Sequence, residues 1–175
     1  YMTDPEGNGV ELYWDRMRTD WSWVHGQVEM DTIYLDPNAF LQEHLDVATA
    51  ESRENLAGAH VGHVHLSVGD VESAHKFYVE QLGFDQTFAM PGNALFVSAG
   101  GYHHHMAMNV WGSRGAGLRA PALGLGLVRI GVPTLDDLGE TGERLKHHGV
   151  NLADDGQTIR FDDPWANRIE LSVDQ

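Results

Sequence analysis

The chain has 175 residues, 42% of them hydrophobic and 21% charged, which is enough to bury one substantial core and excludes default disorder. Eleven Lys and Arg stand against 26 Asp and Glu, and the net charge of −15 repels nucleic-acid phosphates and anionic membrane surfaces, so neither is expected as a partner. No cysteine is present, which excludes a disulfide framework, a thiolate metal site and a thiol nucleophile and fits a reducing, cytoplasmic setting; no apolar run reaches the roughly 18 residues of a membrane span.

Gly7-Asn8-Gly9 reads as a turn feeding a short strand, Val10 to Trp14. An acidic loop follows from Asp15 to Asp36, with Trp21 and Trp23 expected to anchor it to a core. The segment DPNAFLQEHL then offers Asp36 as N-cap, Pro37 at the first helical position, and Phe40, Leu41 and Leu45 on one side of a short amphipathic linker helix. Residues 1–58 carry 3 basic and 12 acidic side chains, so this stretch is read as the more solvated part.

From Gly62, Val64, Leu66 and Val68 alternate with His63, His65 and Ser67, the period of a half-buried strand. Asp70 caps a helix expected to run to Gly83, with Val71, Phe77, Tyr78 and Leu82 at helical spacing. Strands are expected at Asp85 to Ala89, Ala94 to Ser98 and Tyr102 to Val110. A Gly-rich loop, 113–124, leads into a second strand, Leu125 to Val132, and a helix capped by Thr134 with Asp137 three residues on and a stop at Gly149. Strands near Val150, at Gln157 to Phe161 and at Arg168 to Val173 complete the chain. The pattern is β-α-β-β-β, twice.

Two internal repeats support that division. DPEGNGVELYWD (4–15) and DPWANRIELSVD (163–174) share six residues in register, including Glu11 with Glu170, and GHVHLSVGDVE (62–72) aligns with GLVRIGVPTLD (126–136). Together they define a unit of roughly 50 to 60 residues that opens with a strand and closes with a glutamate-bearing strand. Leu127, opposite His63, lies 43 residues before Glu170, and the same interval counted back from Glu11 falls before Tyr1. The expected organisation is the closing strand of a preceding unit (1–15), an acidic linker with a short helix (16–59), a βαβββ unit (60–112), the Gly-rich loop (113–124) and a second βαβββ unit (125–175), in a truncated or processed chain.

His63 and His65, two apart on a strand, share the face opposite the core residues, as a metal site or polar pocket requires. On a strand, His104 would point opposite to His103 and His105. Glu11 and Glu170 sit among apolar neighbours, where a buried carboxylate needs an ion pair, hydrogen bonds or a cation. His25, His44, His60, His75, His147 and His148 are read as solvated. The glycine-rich stretches lack the lysine of a phosphate loop, and no Ser or Thr has a recognisable base partner, which leaves histidine and carboxylate as the chemistry. That donor set suits Fe(II), Mn(II), Ni(II) or Zn(II).

DPEGNGVELYWDR, GHVHLSVGDVESAHKFYVEQLGF and ALFVSAGGYHHHMAMNVWGSRGA resemble the vicinal oxygen chelate superfamily of glyoxalases, bleomycin-resistance proteins and extradiol dioxygenases, and within it a catechol 2,3-dioxygenase-like branch. The resemblance implies an α+β fold of paired βαβββ units forming a curved mixed sheet around a metal cleft. It implies His63 and Glu11 as metal ligands, a second histidine ligand upstream of Tyr1, and His104 as the acid–base histidine, so that the 175-residue chain by itself is expected to bind iron weakly and turn over little. Fe(II) is the implied metal, with Mn(II), Ni(II) or Zn(II) as alternatives. The implied function is extradiol cleavage of a small aromatic diol with O2. The implied partners are those two reactants and upstream units of the same protein, with a homo-oligomer as a further candidate. The last unit, with Leu127 and Arg160 at the ligand and tyrosine positions, is read as a structural copy. Two alternatives share the fold: a glyoxalase-like lyase or isomerase using Ni(II) or Zn(II), and a metal-free module binding an apolar ligand among Phe96, Met106, Met108 and Trp111.

Overall fold

The structure is a computed structural model describing residues 1–52 and 59–174; residues 53–58 of the expected linker lie outside the described residues. The chain opens with a small antiparallel hairpin, β1 (Met2–Thr3) and β2 (Gly9–Val10). Asp4 holds its turn, accepting from the backbone N–H groups of Glu6 and Asn8 and from the Asn8 amide. The expected strand Val10 to Trp14 is thus realised only at Val10, and Glu11 to Trp14 continue outside any strand. A strand needs ladder partners for its backbone groups, and β1 ends the pairing at Val10. A single 3-10 turn, Arg18–Asp20, leads to a second hairpin of β3 (Trp23–Val24) and β4 (Gln27–Val28).

The linker helix α1 (Pro37–His44) forms as read: the Asp36 carboxylate accepts from the N–H groups of Asn38 and Ala39, and Pro37 takes the first position. A one-turn helix, α2 (Val47–Glu51), follows. Among residues 1–52 only Val28 is buried, which matches the acidic composition. Two expectations are corrected here. Phe40, Leu41 and Leu45 are all exposed, so the apolar side of α1 has no cover among the described residues, and Trp23 is exposed while only Trp21 anchors the loop.

The first unit comprises β5 (Val64–Ser67), α3 (Val71–His75), β6 (Asp85–Met90), β7 (Ala94–Ser98) and β8 (Met106–Asn109). Its sheet runs β5-β8-β7-β6, with β5 parallel to β8 and the other pairs antiparallel. Asp70 caps α3 by accepting from Ser73 N–H. The helix then loosens into a π-helical stretch, Lys76–Gln81, in which Leu82 N–H reaches back to Phe77 C=O. Phe77 and Tyr78, adjacent in this stretch, are both buried.

The second unit repeats the topology with β9 (Val128–Val132), α4 (Leu135–His147), β10 (Leu152–Asp154), β11 (Thr158–Asp162) and β12 (Arg168–Val173), in the order β10-β11-β12-β9. Thr134 caps α4 through Asp137, as the spacing requires. One continuous core joins both units: Leu66, Phe77, Tyr78, Val97, Met106 and Met108 from the first pack with Leu138, Leu145, Ile159, Phe161 and Ile169 from the second. Arg144 of α4 donates to the carbonyls of Gln81 and Leu82, closing the end of the neighbouring helix. The molecule is therefore α+β, with two mixed sheets that curve without closing into a barrel.

Candidate functional site

Alternation in the first sheet separates two faces. Leu66, Leu95, Val97, Met106 and Met108 enter the shared core, whereas Ala94, Phe96 and Ala107 form a second small cluster capped by Phe88 and by Met30, just beyond β4. His63 and His65 belong to this second face, as their spacing predicts: the His65 ring lies 6.0 Å from Phe96 and 5.3 Å from His63, centre to centre.

His104 arrives there by a route the sequence did not suggest. Tyr102 to His105 precede β8 and are not strand, which corrects the expected strand from Tyr102 and the alternation inferred from it. Ser98 Oγ donates to the Tyr102 carbonyl, and Thr87, at the bulge of β6, donates to the carbonyls of His103 and Phe96. Side-chain bonds to these carbonyls replace ladder bonds, and the chain turns instead of extending. His103 and His104 consequently face each other, Nδ1 to Nδ1 at 2.8 Å, and His104 lies 4.3 Å from His63 and 5.0 Å from Phe96, ring centre to ring centre.

The segment after β2 crosses this face. Glu11, Tyr13 and Asp15, at every second position, all turn toward the histidines: Glu11 Oε2 is 3.1 Å from His63 Nε2, Tyr13 stacks on His63 at 4.7 Å and 15°, and Asp15 Oδ1 is 3.0 Å from His103 Nε2. The other Asp15 oxygen accepts from Tyr102 O–H at 2.6 Å, and the Tyr102 oxygen is 2.9 Å from that of Tyr13. Gly62 permits the stack, because a Cβ there would overlap the Tyr13 hydroxyl. Tyr13 and Asp15 were not singled out from the sequence, and His103 was read only as pointing away from His104. The signal for the first two was available: they stand two and four residues after Glu11, on the face a strand at that position would give it.

Two ligand sets can be drawn from these residues, Glu11-His63-His65 and His63-His103-His104, each with one donor atom per residue within 4.8 Å of the others. His63 Nδ1 and His104 Nε2 are buried with no hydrogen-bond partner. Buried polar atoms are normally satisfied, so two orphaned imidazole nitrogens beside a carboxylate are chemically suited to a divalent metal of the iron-to-zinc range. Burial first, then His63, push the His104 imidazole down to about 3, so it is neutral at physiological pH. Burial also lowers His103 and His105. His105 Nδ1 accepts from Ala99 N–H.

Glu170 is occupied otherwise. It accepts from Arg160 Nε at 2.6 Å and lies 3.0 Å from Arg129 Nε, and the Arg160 bond holds its carboxyl below the usual range. Met106 and Met108 are core residues and Trp111 is 65% exposed, so of the four residues named for an apolar pocket only Phe96 faces the histidines. His25, His44, His60, His147 and His148 are exposed, and His75 is half-buried.

Residues 60–171 match the model of the glyoxalase/bleomycin resistance protein/dioxygenase superfamily. The chain belongs to this superfamily. It is 38% identical over 168 residues to a Bacillus subtilis protein named catechol-2,3-dioxygenase, an alignment covering 94% of this chain and 58% of that protein, so the chain spans less than two thirds of the relative's length. Among solved structures, a superfamily domain from a Frankia species aligns with a TM-score of 0.55 at 20% identity, over 67% of this chain and 98% of that one. A fosfomycin resistance protein mutant from Listeria monocytogenes, solved with Mn(II) and dihydroxypropylphosphonic acid, aligns at 0.51 and 16%, over 67% and 94%. These structural matches establish the superfamily fold. Among the described residues no helix is long and apolar enough to cross a membrane.

Proposed function

We propose that this chain carries the metal-binding and proton-handling residues of an extradiol-type dioxygenase acting on a small aromatic diol. The observation that supports this most directly is the Glu11 carboxylate set against His63, with His65 completing a carboxylate–imidazole group on the open face of the first sheet. The name of the Bacillus subtilis relative agrees with that reading. Glu11 and His63 would hold the metal, with His65 as a third donor of the same group, and Fe(II) is the ion that fits both this donor set and the dioxygenase reading. Bound iron would supply Lewis acidity and open positions for diol and dioxygen.

The protein's own residues have separate tasks. His104, neutral and buried beside His63, can take a proton from a diol hydroxyl and return it later. Phe96, edge-on to both His65 and His104, offers an apolar wall for an aromatic ring. Tyr13, stacked on His63, covers it from water.

Anaerobic loading of the 175-residue chain with Fe(II), followed by oxygen-electrode and absorbance assays with catechol, tests the reading. Weak iron retention and slow oxygen uptake with a ring-opened product are expected. His63→Ala should abolish iron retention, whereas His104→Ala should keep iron and lose turnover by about 10²- to 10⁴-fold. Failure of the chain to retain iron, or the reverse pattern in the two variants, refutes the proposal; isomerase activity with Ni(II) or Zn(II) and no oxygen uptake would replace it with the glyoxalase-like alternative.

A further inference from the structure

We infer that Asp15, acting through His103, fixes the tautomer of His104, placing its proton on Nδ1 and leaving a bare lone pair on Nε2. The inference follows from counting donors and acceptors along one continuous chain of contacts. A carboxylate only accepts hydrogen bonds, so the 3.0 Å contact between Asp15 Oδ1 and His103 Nε2 places a proton on that nitrogen. A neutral imidazole has one donor and one acceptor nitrogen, so His103 Nδ1 is then an acceptor. Its partner 2.8 Å away is His104 Nδ1, which must supply the proton. His104 Nε2 is left without one.

The environment of Nε2 agrees independently. That atom is buried and has no hydrogen-bond partner. An orphaned buried N–H is among the rarest arrangements in proteins, and the Nδ1–H tautomer avoids it by leaving a bare nitrogen at the buried position.

The upstream end of the chain is anchored as firmly. Asp15 Oδ2 accepts from Tyr102 O–H at 2.6 Å, so the 2.9 Å contact between the two tyrosines is a donation from Tyr13 to Tyr102. Thr87 O–H, donating to the His103 carbonyl, fixes the backbone that carries both imidazoles. Asp15 bonds Tyr102 and His103 and makes no hydrogen bond to Glu11, His63 or His65. It is a positioning residue: it orients His103, which orients His104.

The catalytic meaning of this arrangement rests on the dioxygenase reading, in which a lone pair at Nε2 is ready to accept the diol proton. The tautomer itself does not depend on that reading. A long-range ¹H–¹⁵N correlation spectrum of the ¹⁵N,¹³C-labelled 175-residue chain without added metal, at neutral pH, reports which nitrogen of each imidazole is protonated, and His104 is assigned through its backbone. The expected spectrum shows His104 with a protonated Nδ1 and an Nε2 shift in the unprotonated range. His103→Phe, which removes the acceptor, should bring a populated Nε2–H form, and Asp15→Ala should give a mixture of both tautomers. An Nε2–H His104 in the unsubstituted chain overturns the inference without recourse to any variant, and an unmixed Nδ1–H form in Asp15→Ala removes Asp15 from it. If the Nδ1–H tautomer is found but the iron-loaded chain takes up no oxygen with catechol, the dioxygenase reading falls and the tautomer assignment stands.

Discussion

Tyr78 and Asp163 tie the two βαβββ units together, and removing that tie has a calculable cost with a distinctive pH dependence. Tyr78 is fully buried, and its hydroxyl donates to Asp163 Oδ2 at 2.8 Å. Asp163 also accepts from the N–H groups of Trp165 and Asn167 and from the Asn167 amide, so it keeps three donors when the phenol is lost. A hydrogen bond to a charged group contributes ~1.5–3 kcal/mol, and the surviving donors place Tyr78→Phe near the lower half of that range, about 2 kcal/mol. For a chain of this length that corresponds to a fall in Tm of about 4–8 °C. Urea titration should show the same loss with an unchanged slope, because one core spans both units and should unfold as a whole.

Burial, with Asp163 beside it, raises the Tyr78 phenol well above its ordinary value. The unfolded chain then releases the phenolic proton near pH 10 while the folded chain keeps it. Bound protons are fewer in the unfolded state, so the wild type loses stability as pH rises above 10, by about 1.4 kcal/mol per pH unit for this group. Tyr78→Phe has no such loss, and the gap of about 2 kcal/mol should close by about pH 11.5. A cost below about 0.5 kcal/mol at pH 7, or a gap that stays constant from pH 9 to 11, would show that the bond does not couple the units as the distances imply.

Two glycines make contrasting predictions. A Cβ on Gly62 overlaps only the hydroxyl end of the half-exposed Tyr13 side chain, which can swing aside. Gly62→Ala should therefore leave stability within about 0.5 kcal/mol of wild type while abolishing the Tyr13–His63 stack, seen as a changed ring-current shift of the His63 protons; an unchanged shift would contradict the packing. A Cβ on Gly69 meets the Ala116 backbone carbonyl and the Trp165 indole nitrogen, neither at the free end of a flexible chain. Gly69→Ala should cost ~1–3 kcal/mol by urea titration, and a neutral result would mean that the 113–124 loop is not held where it is described.

Much of the fold was legible because its signals are local. The alternation of Val64, Leu66 and Val68 and the caps at Asp70 and Thr134 depend on neighbours a few residues apart, and each yields the element expected of it; of the repeated closing strand, the copy around Glu170 forms and the copy around Glu11 does not. Three features depended on distant partners and were not legible. The strand expected from Tyr102 loses its first residues because Ser98 and Thr87, from two other strands, bond its carbonyls. The regular helix expected to Gly83 widens into a π-helical stretch from which Phe77 and Tyr78 both enter a core shared with the second unit. His103 meets His104 only because that turn replaces strand alternation, so a site residue next to the expected one was hidden by an otherwise reasonable pattern. Glu11 and His63, by contrast, were named from the sequence and lie together, although 52 residues separate them.

The internal repeat supplies a comparison within the molecule that bears on which carboxylate is free to take a cation. The turn before each glutamate is built alike: Asp4 accepts from the Asn8 N–H and amide, and Asp163 accepts from the same groups of Asn167. Glu11 and Glu170 then stand at matching positions with different company. Glu170 faces two guanidinium groups, one of them Arg129, the residue that aligns with His65 in the other repeat. Arginine is permanently charged and offers only donors, so it neutralises the carboxylate and leaves no lone pair for a metal. Glu11 faces imidazoles, which can give a lone pair once deprotonated and so share a cation with the carboxylate. Glu170 is thus satisfied by fixed positive charge, and Glu11 stands beside groups that coordinate. Matching glutamates of the repeat are an ion-pair partner at Glu170 and a ligand candidate at Glu11, and the residues that separate the two are His63 and His65 on one side against Leu127 and Arg129, with Arg160, on the other.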